Sequence, residues 1–247
     1  MVTKIKLLKV FLGIAAFIFL VSFSAKRHAC KAVSELKIQI NHNSTNRFVN
    51  NELVEKIMNG KEINIKSTPL GNIDVYKIEA ELNENPFIEK SEVYSDIDGS
   101  VLVSIVQREA IARINTGKQE YYLSANLTKI PLSELYSPVV LMVGGPIDEN
   151  DYEGLKHLTD VISADKLLKK HIIAAKKLGP NSFNLLVNKG GYVIEFGELE
   201  DIEKKFEKLK LFYDQYLGKV GMNYYSKINL KFNNQIVATK NKNDEKQ

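Results

Sequence analysis

Tryptophan is absent from this 247-residue chain, and cysteine occurs once, at Cys30. A single cysteine excludes an internal disulfide framework and a cysteine-built metal cage. The four histidines, His28, His42, His157 and His171, are scattered, with no HxxxH or HExxH spacing, so no helix presents a zinc pair. No G-x-S-x-G elbow and no G-x-x-x-x-G-K phosphate loop occurs. Gly144-Gly145 follows an apolar run but no further glycine pattern continues it, and a plain turn is the expectation. Excess charge of one sign is also missing. The net charge is +4, and the basic residues alternate with acids, which leaves no basic stripe for nucleic acid. An enzyme, a cofactor, a metal site and a small-molecule substrate are therefore not expected.

One long hydrophobic run is present. Val10 to Phe23 is continuously apolar or small, with Lys4, Lys6 and Lys9 before it and Lys26 and Arg27 after it. With Lys9 snorkelling, Leu7 to Ala25 forms a helix of about 28 Å, just enough to cross the hydrocarbon of a bilayer. The expectation is a short cytoplasmic segment at 1–9 and a transmembrane helix at 10–25, so that the bilayer is itself a partner. Ser22-Phe23-Ser24 is a small-x-small site, and the alternative is a secreted periplasmic binding module with a cleaved signal peptide. Lysine counting does not orient the helix, because Lys26, Arg27 and Lys31 balance the three lysines in front.

Beyond this run the pattern is α+β. Leu36, Ile38 and Ile40 alternate as in a strand. A helix follows over "NNELVEKIMNG", capped by Asn50 or Asn51 and closed by Gly60. Asp74 caps a second helix, which Asn85-Pro86 stops. "FIEKSEVYSDIDGSVLVSIVQ" reads as two strands around Asp98-Gly99, a pair suited to positive φ. Residues 34–107 thus form a βααββ module whose helices cover one face of a small sheet.

Residues 108–240 read as a larger mixed β-sheet domain with packing helices. Short strands are expected in "AIARI" and "EYYLSANLTKIPL", and a buried strand in "SPVVLMVGG". Helix "DENDYEGLKHLTDVI" turns Leu155, Leu158 and Ile162 inward. "SFNLLVNKGGYVIEFG" is a hairpin. The clearest helix is "ELEDIEKKFEKLKLFYDQYLG". There Ile202, Phe206, Leu209, Tyr213 and Tyr216 recur at helical spacing, Glu200 and Asp201 stand four residues before Lys204 and Lys205, and Gly218 is the stop. A closing hairpin ends the domain, its last strand at Gln235 to Thr239. The polar residues 241–247 are expected to be a disordered tail.

"NPFIEKSEVYSDIDGSVLVSIVQREAIARI" is similar to the end of a POTRA module entering the second domain of the bacterial division proteins FtsQ and DivIB. Asn85-Pro86-Phe87-Ile88 resembles that family's "HP-aromatic-V", Ser91-Glu92-Val93 its "A-x-V", and Val103 to Arg108 its "V-x-V-x-E-R", with Gln107 in place of the acid. "YYLSANLTKIPLS" resembles "W-x-L-V-D-x-x-G-x-x-x-P", with tyrosine for tryptophan, Ser124 for aspartate and Asn126 for glycine. "KINLKF" resembles "V-D-L-R-Y". The resemblance implies a non-catalytic, single-pass inner-membrane scaffold at the division septum, with its bulk outside the membrane. It also implies FtsB (DivIC)-like and FtsL-like partners. Carried over by position, partner contacts would fall on Tyr225, Ile228, Leu230, Phe232, Gln235, Ile236 and Val237, with Phe232 where the family has an exposed tyrosine.

Overall fold

A computed structural model describes residues 2–41, 47–59, 65, 68–96 and 98–241, with side chains from residue 9 onward. Gly60 and residues 242–247 lie outside the described residues. Contacts divide the chain into two compact units, Met1–Gln107 and Arg108–Gln247.

The first unit opens with α1 (Val2–Ala29), one unbroken helix. Its portion Lys9–Ala29 is long and apolar enough to cross a membrane, and residues 9–27 are exposed throughout. At 1.5 Å per residue those 21 residues rise about 32 Å. The chain then enters the module without a spacer: the N–H of Leu70 donates to the Lys31 carbonyl (2.9 Å), and the Lys31 ammonium donates to the Asp98 carbonyl. Next come β1 (Glu35–Asn41), α2 (Asn51–Asn59), α3 (Val75–Asn83), β2 (Ile88–Ser95) and β3 (Ser100–Gln107). The sheet order is β1-β3-β2, with β1 parallel and β2 antiparallel to β3.

Asn50 caps α2 by accepting from Leu53 N–H (2.8 Å), and Asp74 caps α3 through Lys77 N–H (3.0 Å), satisfying donors that a helix start leaves open. Val54 and Met58 of α2, Leu82 of α3 and Val101, Val103 and Ile105 of β3 are all buried. Only half of the expected Asp98-Gly99 pair takes positive φ. Gly99 does (φ 93°), whereas Asp98 turns its carboxylate to accept from Ser100 N–H at 2.7 Å. Gly99 N–H donating to the Asp96 carbonyl (3.0 Å) closes the turn.

The second unit contains β4 (Ala110–Asn115), β5 (Glu120–Ser124), β6 (Lys129–Ile130), β7 (Leu141–Gly144), α4 (Tyr152–Ala164), α5 (Lys166–His171), β8 (Ile172–Gly179), β9 (Ser182–Val187), β10 (Val193–Gly197), α6 (Ile202–Phe212), a π-helical segment (Tyr213–Leu217), α7 (Gly218–Val220), β11 (Tyr225–Asn229) and β12 (Val237–Lys240). One nine-stranded sheet runs β12-β11-β10-β9-β8-β7-β4-β5-β6. Its covered face packs Ile114, Leu123, Leu185, Ile194, Phe196 and Ile228 against Leu155 and Leu158 of α4 and Ile202, Phe206 and Leu209 of α6. Burying each such side chain contributes about 1.5–3 kcal/mol. The class is α+β, as the alternation of periods indicated.

Several expectations are corrected. β7 begins at Leu141 and not at Ser137; Pro138 has no N–H to give, and Val139 is fully exposed. β8, in the middle of the sheet, was not foreseen. The long helix does not stop at Gly218. The π turn inserts one residue per turn, so Leu217 is buried and Tyr216 exposed, and the stop is Gly221 (φ 88°). The anticipated pairs at that helix start are replaced: Lys204 meets Asp201 (2.7 Å), and buried Lys205 donates to the Glu198 carbonyl (2.7 Å) above the Phe196 ring. Gly144-Gly145 is a turn with a steric cause. Gly145 has φ 112°, and a Cβ there would stand 2.2 Å from the Lys177 carbonyl oxygen.

Candidate functional site

The end of the chain builds one side of the large sheet. β11 lies parallel to β10, pairing Val193 with Lys227, Ile194 with Ile228 and Glu195 with Asn229, and Leu230 N–H extends the ladder to the Glu195 carbonyl (2.9 Å). The strand period of two sends Ile228 and Leu230 into the core, where both are fully buried. Lys227 and Asn229 take the opposite face and meet Glu195, whose two carboxylate oxygens accept from Lys227 Nζ (3.3 Å) and Asn229 Nδ2 (3.0 Å).

β12 returns antiparallel, pairing Asn229 with Val237, Ile228 with Ala238 and Lys227 with Thr239, with a bulge near Ser226. It is the terminal strand of the sheet, so among the described residues it is paired with a strand on one side only. The opposite border, β6, is two residues long and its Ile130 is buried. In a four-residue strand half of the peptide groups point outward, giving about four donors and acceptors for an added strand.

The connection from Lys231 to Ile236 is held from below. Lys208 of α6 donates through Nζ to the carbonyls of Phe232 (2.6 Å) and Asn233 (3.2 Å), and Lys231 N–H donates to Asn229 Oδ1 (2.9 Å). This fixes the backbone of Phe232 while 47% of that residue stays exposed.

The seven residues singled out from the sequence therefore separate. Phe232, Gln235 and Val237 are exposed at or beside the edge, and Ile236 is half-buried against the core. Tyr225 is half-buried, tilted against Phe212 (5.4 Å) and edge-on to Tyr224 (5.0 Å). Ile228 and Leu230 are core residues that a partner cannot touch while the sheet is intact. The strand itself is Val237–Lys240 and not Gln235 to Thr239. The lysine beneath the loop went unseen in the sequence, because Lys208 is one of many cations on an amphipathic helix.

Other polar residues of the second unit are occupied structurally. His157 meets Glu203 (3.0 Å). Lys177 is buried with Asp151 (2.7 Å) and reaches Asp148 (3.5 Å). Tyr121 and Tyr122 are buried, the first hydrogen-bonded to Tyr152 (2.8 Å), and burial raises the Tyr121 hydroxyl well above its ordinary range.

A family model described as FtsQ/DivIB, C-terminal related, matches residues 109–239, more than half of the chain, and a POTRA-like domain model matches residues 29–106. No curated protein matches the chain.

Proposed function

Since the chain belongs to the FtsQ/DivIB family, a family of cell-division scaffolds, we propose that it holds a partner division protein by strand addition to β12. The partner is an FtsB (DivIC)-like chain, accompanied by an FtsL-like one. The protein is a single-pass membrane protein anchored by α1, with its two folded units on the extracytoplasmic side at the septum. The observation that carries the reading is a terminal strand, paired on one side, beside an aromatic residue fixed at its backbone and exposed at its ring.

About four new backbone hydrogen bonds at a net 1 kcal/mol each supply roughly 4 kcal/mol. Covering the exposed half of Phe232 adds about 1 kcal/mol, and ordering the incoming segment offsets part of the sum. Such an interaction is weak between molecules free in solution. Two chains anchored in one bilayer meet at an effective concentration in the millimolar range, where weak pairing suffices. In this account the anchor contributes to affinity as well as to location.

The second reading, a secreted module released at Ser22-Phe23-Ser24, rests on that small-x-small site. Against it, α1 runs unbroken through those residues and joins the module directly. Sequencing the amino terminus of the mature protein separates the two: an intact start supports the anchor, and a start near Ala25 supports secretion.

The main test is co-purification from membranes. Removal of residues 235–240 should abolish capture of the FtsB-like and FtsL-like chains while the first unit keeps its fold, and Phe232→Asp should weaken it roughly fivefold or more. Normal capture by the truncated protein would refute strand addition.

A further inference from the structure

A cavity of about 500 Å³ opens in the second unit at the end of the sheet where β11 begins. Its apolar wall is Leu167, Leu217 and Met222, and Lys170 and Lys189 stand at its margin; none of its lining residues is acidic. Lys166 and Lys169 add to the positive charge of the same short helix, α5. None of these four lysines forms an ion pair among the described residues.

The cavity also holds both ends of a polar chain. His171 Nε2 lies 2.7 Å from the Tyr192 hydroxyl, which lies 3.0 Å from the Tyr213 hydroxyl. Tyr192 is buried, while His171 and Tyr213 line the cavity. Burial lowers the imidazole pKa from its ordinary value of 6.5, so the ring is neutral at pH 7. A neutral imidazole and two phenols carry three donatable protons, and the two internal hydrogen bonds consume two. In one direction the Tyr213 O–H is left over; in the other the His171 Nδ1–H is. Either way one donor at the cavity wall has no protein acceptor among the described residues.

An apolar hollow with a spare donor and a cationic margin selects a large apolar group next to a carboxylate. The place favours a peptide. Asn223, next to Met222, accepts through its carbonyl from the Asn241 side chain (3.5 Å), and Asn241 N–H donates to the Tyr224 carbonyl (2.8 Å). The end of β12 is thus tied to the cavity wall, and a segment laid along β12 leaves the sheet beside it. We propose that this cavity is a second docking point for the protein partner, taking an acidic stretch of that partner with an aromatic or leucine side chain inside and a carboxylate at the lysines. The choice of occupant rests on the strand-addition reading; the cavity chemistry does not.

The absence of tryptophan from the protein makes the test direct. The full chain in lipid nanodiscs is titrated with an acetylated, amidated tetrapeptide of aspartate, tryptophan, leucine and glutamate, and the indole emission is followed. A saturable blue shift is expected, at least tenfold weaker for the analogue with asparagine and glutamine. The Lys170→Glu/Lys189→Glu chain should bind at least tenfold more weakly at an unchanged Tm, whereas Phe232→Asp, which strikes the β12 reading, should leave the titration unaltered. Equal binding of the uncharged analogue, equal binding by the charge-reversed chain, or no shift with the peptide while dodecanoate binds instead would each overturn the proposal.

Discussion

The two sheets of this protein end differently. In the small module both borders are long strands, seven residues in β1 and eight in β2, and length alone would make them the better templates for an added strand. They are laced with charge: Glu35 and Lys37 on β1, Glu89, Lys90 and Glu92 on β2, with Lys90 and Glu92 paired at 2.6 Å. A strand laid alongside must cover these hydrated ions, a device by which proteins keep edges from sticking. β12 is half as long, yet it presents Val237, Ala238 and Thr239 with one charge, Lys240, at its end. In the proposed reading, side-chain chemistry along an edge, more than its length, decides whether the edge is adhesive.

The comparison can be broken at several points. Removing residues 235–240 should have the largest effect, about 4 kcal/mol of partner affinity or roughly a thousandfold, read by titrating the partner into the nanodisc-held chain. Next is Asp151→Asn, which takes from buried Lys177 its nearer carboxylate and leaves it only Asp148 at 3.5 Å. A loss of about 3 kcal/mol is expected, confined to the second unit in a denaturant series followed by hydrogen exchange, because no such pair lies among the described residues of the first unit. Transplanting the β2 pattern with Val237→Glu and Thr239→Lys should weaken partner capture about tenfold, or about 1.4 kcal/mol, at an unchanged Tm. If capture is untouched, edge chemistry is not what distinguishes the two sheets.

The smallest effect belongs to Asp165. It caps α5 through Leu167 N–H (2.9 Å) and Leu168 N–H (3.1 Å) and meets Lys210 at 2.9 Å. Asp165→Ala should cost about 1 kcal/mol at pH 7. The hydrogen bond from Lys210, then that from Leu168 N–H, holds the folded carboxyl below its ordinary value. Its stabilisation is therefore present above about pH 4, the unfolded value, and is lost as pH falls through the lower folded value. Melting curves of the two proteins should converge in acid.

The small module was legible because its signals are local: caps at Asn50 and Asp74, Pro86 after the second helix, and Gly99 in the turn. The covered face of the large sheet was legible for a similar reason, since Phe206, Leu209 and Ile194 follow simple periods. β8 was not, because "IIAAKKLG" mixes small residues with lysines, and Lys177 is inside only by virtue of an acid 26 positions away. The phase of the long helix was lost at the π turn, which no periodicity announces. At the candidate edge, alternation placed Ile228, Leu230 and Phe232 in one set. The chain leaves the strand at Leu230, so the first two face the core and the third does not. The cavity beyond β11 assembles three separate segments and leaves no mark on any one of them.

Hydrogen exchange at the amides of Val237 to Lys240, in the membrane-held chain with and without the FtsB-like partner, tests the central claim most directly. The account predicts that the outward-facing amides exchange readily in the protein alone and become protected when the partner is added. Amides protected beforehand and unchanged by the partner would contradict it.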